Sequence, residues 1–148
     1  MSTNEGGVNR EAGKNKRPLT HTLNPVYLNT TMNILIVIND APYGTEKAYN
    51  ALRLANQSLK DDQDFVVNIF LLTDAVTCGL ADQKTPDGYY NIGRMVKAFI
   101  SKGDKIKACG TCMDARGKCE LPLQKGVEKG NMSEFGHRTI EADKVISF

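Results

Sequence analysis

No apolar run in this 148-residue chain approaches the roughly 20 residues that a membrane-spanning helix needs. The N-terminus also lacks the apolar core of a secretory signal, so a cytoplasmic location is expected. No G-x-G-x-x-G follows a strand-like run, which leaves a dinucleotide-binding turn without support. C-x-x-C occurs once, without the second copy that structural zinc sites usually show, and no cofactor or metal is expected. No histidine lies near the cysteines in sequence, so a Cys-His dyad would have to be assembled in space. Charge of one sign is missing from most of the chain. From Met32 onward there are 15 basic and 15 acidic residues, and the net charge of +2 rests on Arg10, Lys14, Lys16 and Arg17 against Glu5 and Glu11. A folded part so balanced gives no reason to expect a nucleic-acid partner.

The segment 1–31 is rich in Asn, Thr, Gly and basic residues, has no periodicity, and contains Pro18 and Pro25; it is expected to be a disordered extension. Regular patterning starts beyond it, and 32–148 is read as one domain. Ile34-Leu35-Ile36-Val37-Ile38 is a continuous β-branched run of the kind buried on both faces of a sheet. Ala48, Ala51, Leu52, Ala55 and Leu59 recur at helical spacing after the turn Asn39–Gly44, and Asp61–Asp64 breaks that pattern. Phe65–Leu72 reads as a second strand, so strand, helix and strand form a parallel, right-handed βαβ unit. Asn91 caps a helix striped by Ile92, Met95, Val96, Phe99 and Ile100 and stopped at Gly103. A third strand follows at Ile106–Cys109. Three helical stretches are then expected: a short one near Asp114, one over Leu123–Glu128 ending at Gly130, and one over Met132–Ala142 with Asn131 and Glu134 as a capping pair. Lys144–Phe148 closes the chain as a strand. The sum is an open, mostly parallel three-layer α/β/α sheet.

In such sheets, sites gather beyond the carboxyl ends of the strands, where strand order reverses. Three loops lead there: Asn39–Gly44, Thr73–Asp82 with Cys78, and Cys109–Gly117. The last reads Cys-Gly-Thr-Cys-Met-Asp-Ala-Arg-Gly and places Cys109 where a strand turns into a helix. The unpaired N–H groups of a helix start favour thiolate over thiol, and the thiolate is the nucleophile. Cys109 is therefore the candidate nucleophile. Cys112, completing C-x-x-C, is the candidate resolving thiol, able to turn a persulfide or sulfenic acid into a disulfide. Arg116 is a candidate anion or thiolate partner, with an ion pair to Asp114 or Asp40 as the plainer reading. Asn39, Tyr43, Gly44 and Cys78 are candidate binding positions; Tyr43 and Cys78 have packing as their alternative.

NDAPYGTE after the first strand, the loop DAVTCGLADQKTPDGYYN, the segment ACGTCMDARG and the ending ADKVISF together resemble the DsrE/DsrF-like sulfur-relay family over about Met32–Phe148. The resemblance implies a compact α/β fold of about five strands, homo-oligomers (often trimers or hexamers), and sulfane sulfur carried as a cysteine persulfide. In the relay members the acceptor cysteine closes a strand shortly before an Arg-Gly pair, the position Cys109 holds ahead of Arg116-Gly117. Cys112 and Cys78 are additions to that pattern. The reading is a cytoplasmic protein whose Cys109 accepts sulfur and passes it to a protein partner. A thiol–disulfide oxidoreductase and a non-catalytic assembly protein with structural cysteines or metal are the alternatives.

Overall fold

The structure is a computed structural model that describes residues 31–61 and 65–148. Apart from Thr31, the expected disordered extension lies outside these residues. Five strands form one parallel sheet in the order β4-β3-β2-β1-β5. Along the chain they run β1 (Met32–Ile38), α1 (Lys47–Asp61), β2 (Phe65–Leu71), a 3-10 helix (Thr73–Gly79), α2 (Ile92–Ile100), β3 (Lys105–Cys109), α3 (Gly110–Asp114), β4 (Val127–Gly130), α4 (Met132–Glu141) and β5 (Lys144–Ser147).

The central strands β1, β2 and β3 carry the core because they are covered on both sides. Leu35 to Ile38, Val67, Ile69, Phe70, Leu71, Ile106 and Ala108 are all buried. Strand side chains alternate between faces, so Val67, Ile69 and Leu71 point one way and Asn68 and Phe70 the other. Phe70 meets Phe135 of α4 at 5.0 Å between ring centroids, and Asn68 accepts a 3.2 Å hydrogen bond from Arg138. Among the described residues, those contacts place α4 on one face, while α1 and α2 pack against each other on the opposite one.

Strand order dictates this division. The steps β1→β2→β3→β4 all move the same way across the sheet, so right-handed connections put their helices on one face. The return from β4 to β5 moves the other way and carries α4 across the second face. The connections leaving β3 and β4 therefore diverge, and the fork between these two strands is the point of reversal.

One element differs from the sequence expectation. Leu123–Glu128 is not a helix: Leu123 makes an isolated antiparallel bridge with Leu80, and β4 begins at Val127. Leu123 and Val127 are four apart and mimic a helical stripe, but Gly126 adopts φ +94°, which a helix does not accommodate. The open side of β3 pairs instead with 127–130, matching Ile106 to Val127 and Cys109 to Gly130. The helix from Asn131 forms as expected. Asn131 accepts from the Glu134 amide at 2.9 Å and Glu134 returns the bond at 2.9 Å, a full capping box with Asn in the usual Ser/Thr place.

Candidate functional site: a dithiol at the fork of the sheet

Cys109 is the last residue of β3 and the N-cap of α3, so its position follows from where β3 stops pairing. Across the register stands Gly130, the last residue of β4. A Cβ at 130 would press on Lys107 and Phe70 at 3.1 Å each, so glycine lets the two strand ends close beside the thiol without displacing either side chain. Cys109 is 3% exposed, whereas Cys112, one helical turn on, is half-buried.

The two thiols stand one helical turn apart at the start of α3. Burial pushes the Cys109 thiol up, and its contact with the Cys112 side chain pushes it further, against a smaller pull down from the backbone N–H groups of Cys112 and Thr111. The sequence expectation that a helix start keeps Cys109 ionised is thus corrected. α3 spans five residues, and burial outweighs the amide groups it offers.

Cys112 is held from two sides. Its sulfur accepts the backbone N–H of Thr73 at 3.3 Å, and its carbonyl accepts from Arg116 at 3.1 Å. Arg116 extends to Asp74 at 2.7 Å, and neither Asp114 nor Asp40 is its partner. Asp40 instead takes the Thr45 hydroxyl at 2.8 Å and Lys47 at 3.4 Å. Arg116 therefore pins α3 to the first turn of the 3-10 helix. Thr73, with φ +49°, is one of two non-glycine residues in the left-handed region among the described residues. Its hydroxyl bonds the carbonyl of Asn39, which also accepts the Ala75 amide at 3.2 Å.

All three loops named from the sequence thus meet, but not through every residue expected. Asn39 contributes its carbonyl, while its amide side chain bonds Ser147 at 3.0 Å and the Phe148 carbonyl at 3.2 Å. Tyr43 faces elsewhere: it donates to Gln83 at 2.9 Å, accepts the Ile92 amide at 3.3 Å, and joins a ring cluster with Tyr89 and Tyr90. Gly44, with φ +111°, is exposed and shapes the turn before α1. Cys78 is fully buried and contacts the Asp40 carbonyl at 3.8 Å. Cys119 is set against the Asp114 carboxylate, which pushes its thiol up.

Thr73 and Asp74 were not singled out from the sequence. Their signal is positional: they stand just beyond β2, as Asn39 stands beyond β1 and Gly110 beyond β3.

Burial raises the Cys78 thiol from an ordinary 9.0 to about 12. In the folded protein Cys78 should resist alkylation at neutral pH and react only after denaturant is added, as peptide mapping would show. The same shift makes stability fall as pH rises from about 9 toward about 12, because only the unfolded chain ionises Cys78 over that window. Rapid labelling of Cys78 in the native protein would contradict the buried placement.

Among the described residues, no group of three or more His, Cys, Asp or Glu side chains is placed to hold a metal ion, and no helix is long and apolar enough to cross a membrane. Surface hollows of about 670 and 460 Å³ open beside Asp104 and between α1 and α2, lined by residues that include neither Cys109 nor Cys112.

A five-stranded parallel α/β sheet with two cysteines one helical turn apart at its point of reversal defines a class of thiol-bearing α/β proteins. The chain belongs to the DsrE/DsrF-like family, whose profile matches residues 32–148. It is similar to protein YchN of Escherichia coli (strain K12), 44% identical over 115 residues that cover 78% of this chain and 97% of YchN. An uncharacterized protein of Methanopyrus kandleri is 40% identical over 115 residues, covering 78% of this chain and 93% of its own. The crystal structure of the E. coli ychN protein superposes with a TM-score of 0.76 at 43% identity, covering 79% of this chain and 99% of that one. A protein of unknown function from Methanobacterium thermoautotrophicum shares the fold at TM-score 0.66 and 13% identity, with coverage of 79% and 99%.

Proposed function

We propose that this chain handles sulfane sulfur, taking it up as a persulfide on the Cys109–Cys112 pair and passing it to a partner. The observation that carries this reading is the placement of a buried and a half-buried thiol one helical turn apart at the point where the sheet reverses. The exchange balances without an oxidant. A cysteine thiolate attacks the outer sulfur of a donor persulfide, the donor's S–S bond breaks, and the donor leaves as a thiolate. An acceptor thiolate then removes the outer sulfur in the same way and restores the cysteine. The family membership supports the reading, and the residue pattern assigns the persulfide to Cys109 with Cys112 resolving.

The test is intact-mass analysis of the full chain after treatment with a small-molecule persulfide. One added sulfur atom is expected on wild type at early times, before the pair closes to a disulfide, and none on a variant carrying both Cys109→Ser and Cys112→Ser. An adduct that persists in the double variant, or none on wild type, would sink the proposal. The same pair supports a second reading, a thiol–disulfide oxidoreductase, distinguished by turnover of a dithiol substrate without sulfur uptake. Exposed Met132, Ile140 and Val145, on the thinly covered side formed by α4 and β5, support assembly with further copies of the chain.

A further inference from the structure

We propose that Cys112, not Cys109, is the thiol that meets the donor, with the Thr73 backbone N–H positioning it and Cys109 acting as the buried resolving thiol. The inference rests on the sulfur-handling function and reverses the roles read from the residue pattern. Three observations lead to it.

Access is the first. A persulfide donor must bring its S–S bond into line with the attacking sulfur, which needs open space beside that sulfur. Cys109 is 3% exposed and closed in by the end of β4. Cys112 is half-buried and flanked by the exposed residues Thr111, Thr73 and Asp74.

Aim is the second. The Thr73 N–H points at the Cys112 sulfur from 3.3 Å, out of a backbone conformation with φ +49° that a β-branched residue rarely adopts. Such a conformation persists only where its surroundings hold it. Here the hydroxyl of Thr73 bonds the Asn39 carbonyl, and the Leu72 amide bonds the Ile38 carbonyl at 2.9 Å. A fixed amide directed at a sulfur is placed to stabilise negative charge there without reorganising.

Bracing is the third. Arg116 joins Asp74 to the carbonyl of Cys112, so the donor amide and the sulfur it faces are tied together. These three supports converge on Cys112.

The chemistry follows in order. The Cys112 thiolate attacks the donor's outer sulfur, the donor thiolate leaves, and Cys112 carries the persulfide. If no acceptor arrives, the Cys109 sulfur attacks the inner sulfur of Cys112. The Cys109–Cys112 disulfide forms, and hydrosulfide leaves with the Cys109 proton. An external dithiol then reduces the disulfide. Burial of Cys109 holds its proton and slows that release, which leaves the loaded form time to reach an acceptor.

The full chain is treated with glutathione persulfide, and the modified cysteine is located by peptide mass mapping. Cys109→Ser should keep a long-lived single sulfur on Cys112, and Cys112→Ser should load at least about tenfold more slowly than wild type. Loading of Cys112→Ser at the wild-type rate, with none on Cys109→Ser, would overturn the assignment and leave sulfur handling standing. No loading of wild type would overturn both. Thr73→Val, which loses the hydroxyl bond that sets the amide, should load about tenfold more slowly, the effect of one misplaced donor. Thr73→Ser, which keeps that bond, should load like wild type. Equal rates for the Val and Ser variants would remove Thr73 from the proposal.

Discussion

Gly126→Ala should destabilise the protein by about 2–4 kcal/mol, read as a lower urea midpoint with an unchanged slope. Gly126 adopts φ +94° in the turn that delivers the chain to β4, and that backbone alone costs an L-residue about 1–2 kcal/mol. The rest comes from packing. A Cβ at 126 would overlap Cγ2 of Ile100 and stand 3.3 Å from its Cδ1. Ile100 closes α2 and is β-branched, so its first side-chain torsion has little freedom to swing clear. Gly117→Ala is the control. Gly117 has φ +62° with nothing within 4 Å of its would-be Cβ, so only the backbone cost of about 1 kcal/mol should appear. Equal losses for the two variants would mean that Ile100 yields without cost and that the close approach of α2 to this turn is not tight.

Phe70→Ala should cost about 3–5 kcal/mol, the range for removing a fully buried aromatic ring. Phe70 is the large buried side chain of β2 on the α4 face, meeting Phe135 at 5.0 Å and lying 3.1 Å from where a Cβ on Gly130 would stand. α4 has no fully buried residue of its own, so it depends on this contact, its capping box and the Arg138–Asn68 bond. The loss should therefore be uneven. Hydrogen exchange should quicken across α4 and β4 before it does in α1, whose Ala48, Ala51, Leu52 and Ala55 stay packed. Phe70→Leu, which keeps the space beneath Gly130 partly filled, should lose less. Uniform acceleration in all helices would show that α4 does not behave as a separately held layer.

Those two sites mark where local sequence signals were sufficient and where they were not. The β1 and β2 runs were legible because a strand buried on both faces is written as an unbroken apolar stretch. α1 and α2 were legible from their stripes, and α2 and α4 also from Asn91 and Asn131, each of which accepts an amide of its first turn. β4 was not legible. It is four residues long, shows only Val127 and Gly130 to the interior, and gains its pairing from the open edge of β3, with Val127 opposite Ile106. A Leu123–Val127 spacing looks helical when that edge is out of view.

The site divides in the same way. Cys109 and Cys112 were found because C-x-x-C after a strand is a local pattern, and the three converging loops followed from parallel strands alone. Thr73 and Asp74 escaped because a backbone amide leaves no trace in residue type, and because Arg116 chose an acid 42 positions away over one two positions away. Tyr43 was open to two readings by position, a pocket wall or packing; the neighbouring rings of Tyr89 and Tyr90 and its bond to the Ile92 amide set it between the first loop and the start of α2.

By itself, then, the sequence determined the class of fold, the family, and the pair of sulfurs on which the proposed chemistry rests, because apolar period, caps and cysteine spacing are properties of neighbouring residues. Only the tertiary structure decided how those sulfurs differ. Burial against β4 raises the hold of Cys109 on its proton, and the Thr73 amide from the segment after β2, with the Arg116 guanidinium anchored to Asp74 of that segment, steadies Cys112 at the surface. Desolvation and hydrogen-bond direction depend on residues distant in the chain, so they exist only once the strands have been set side by side.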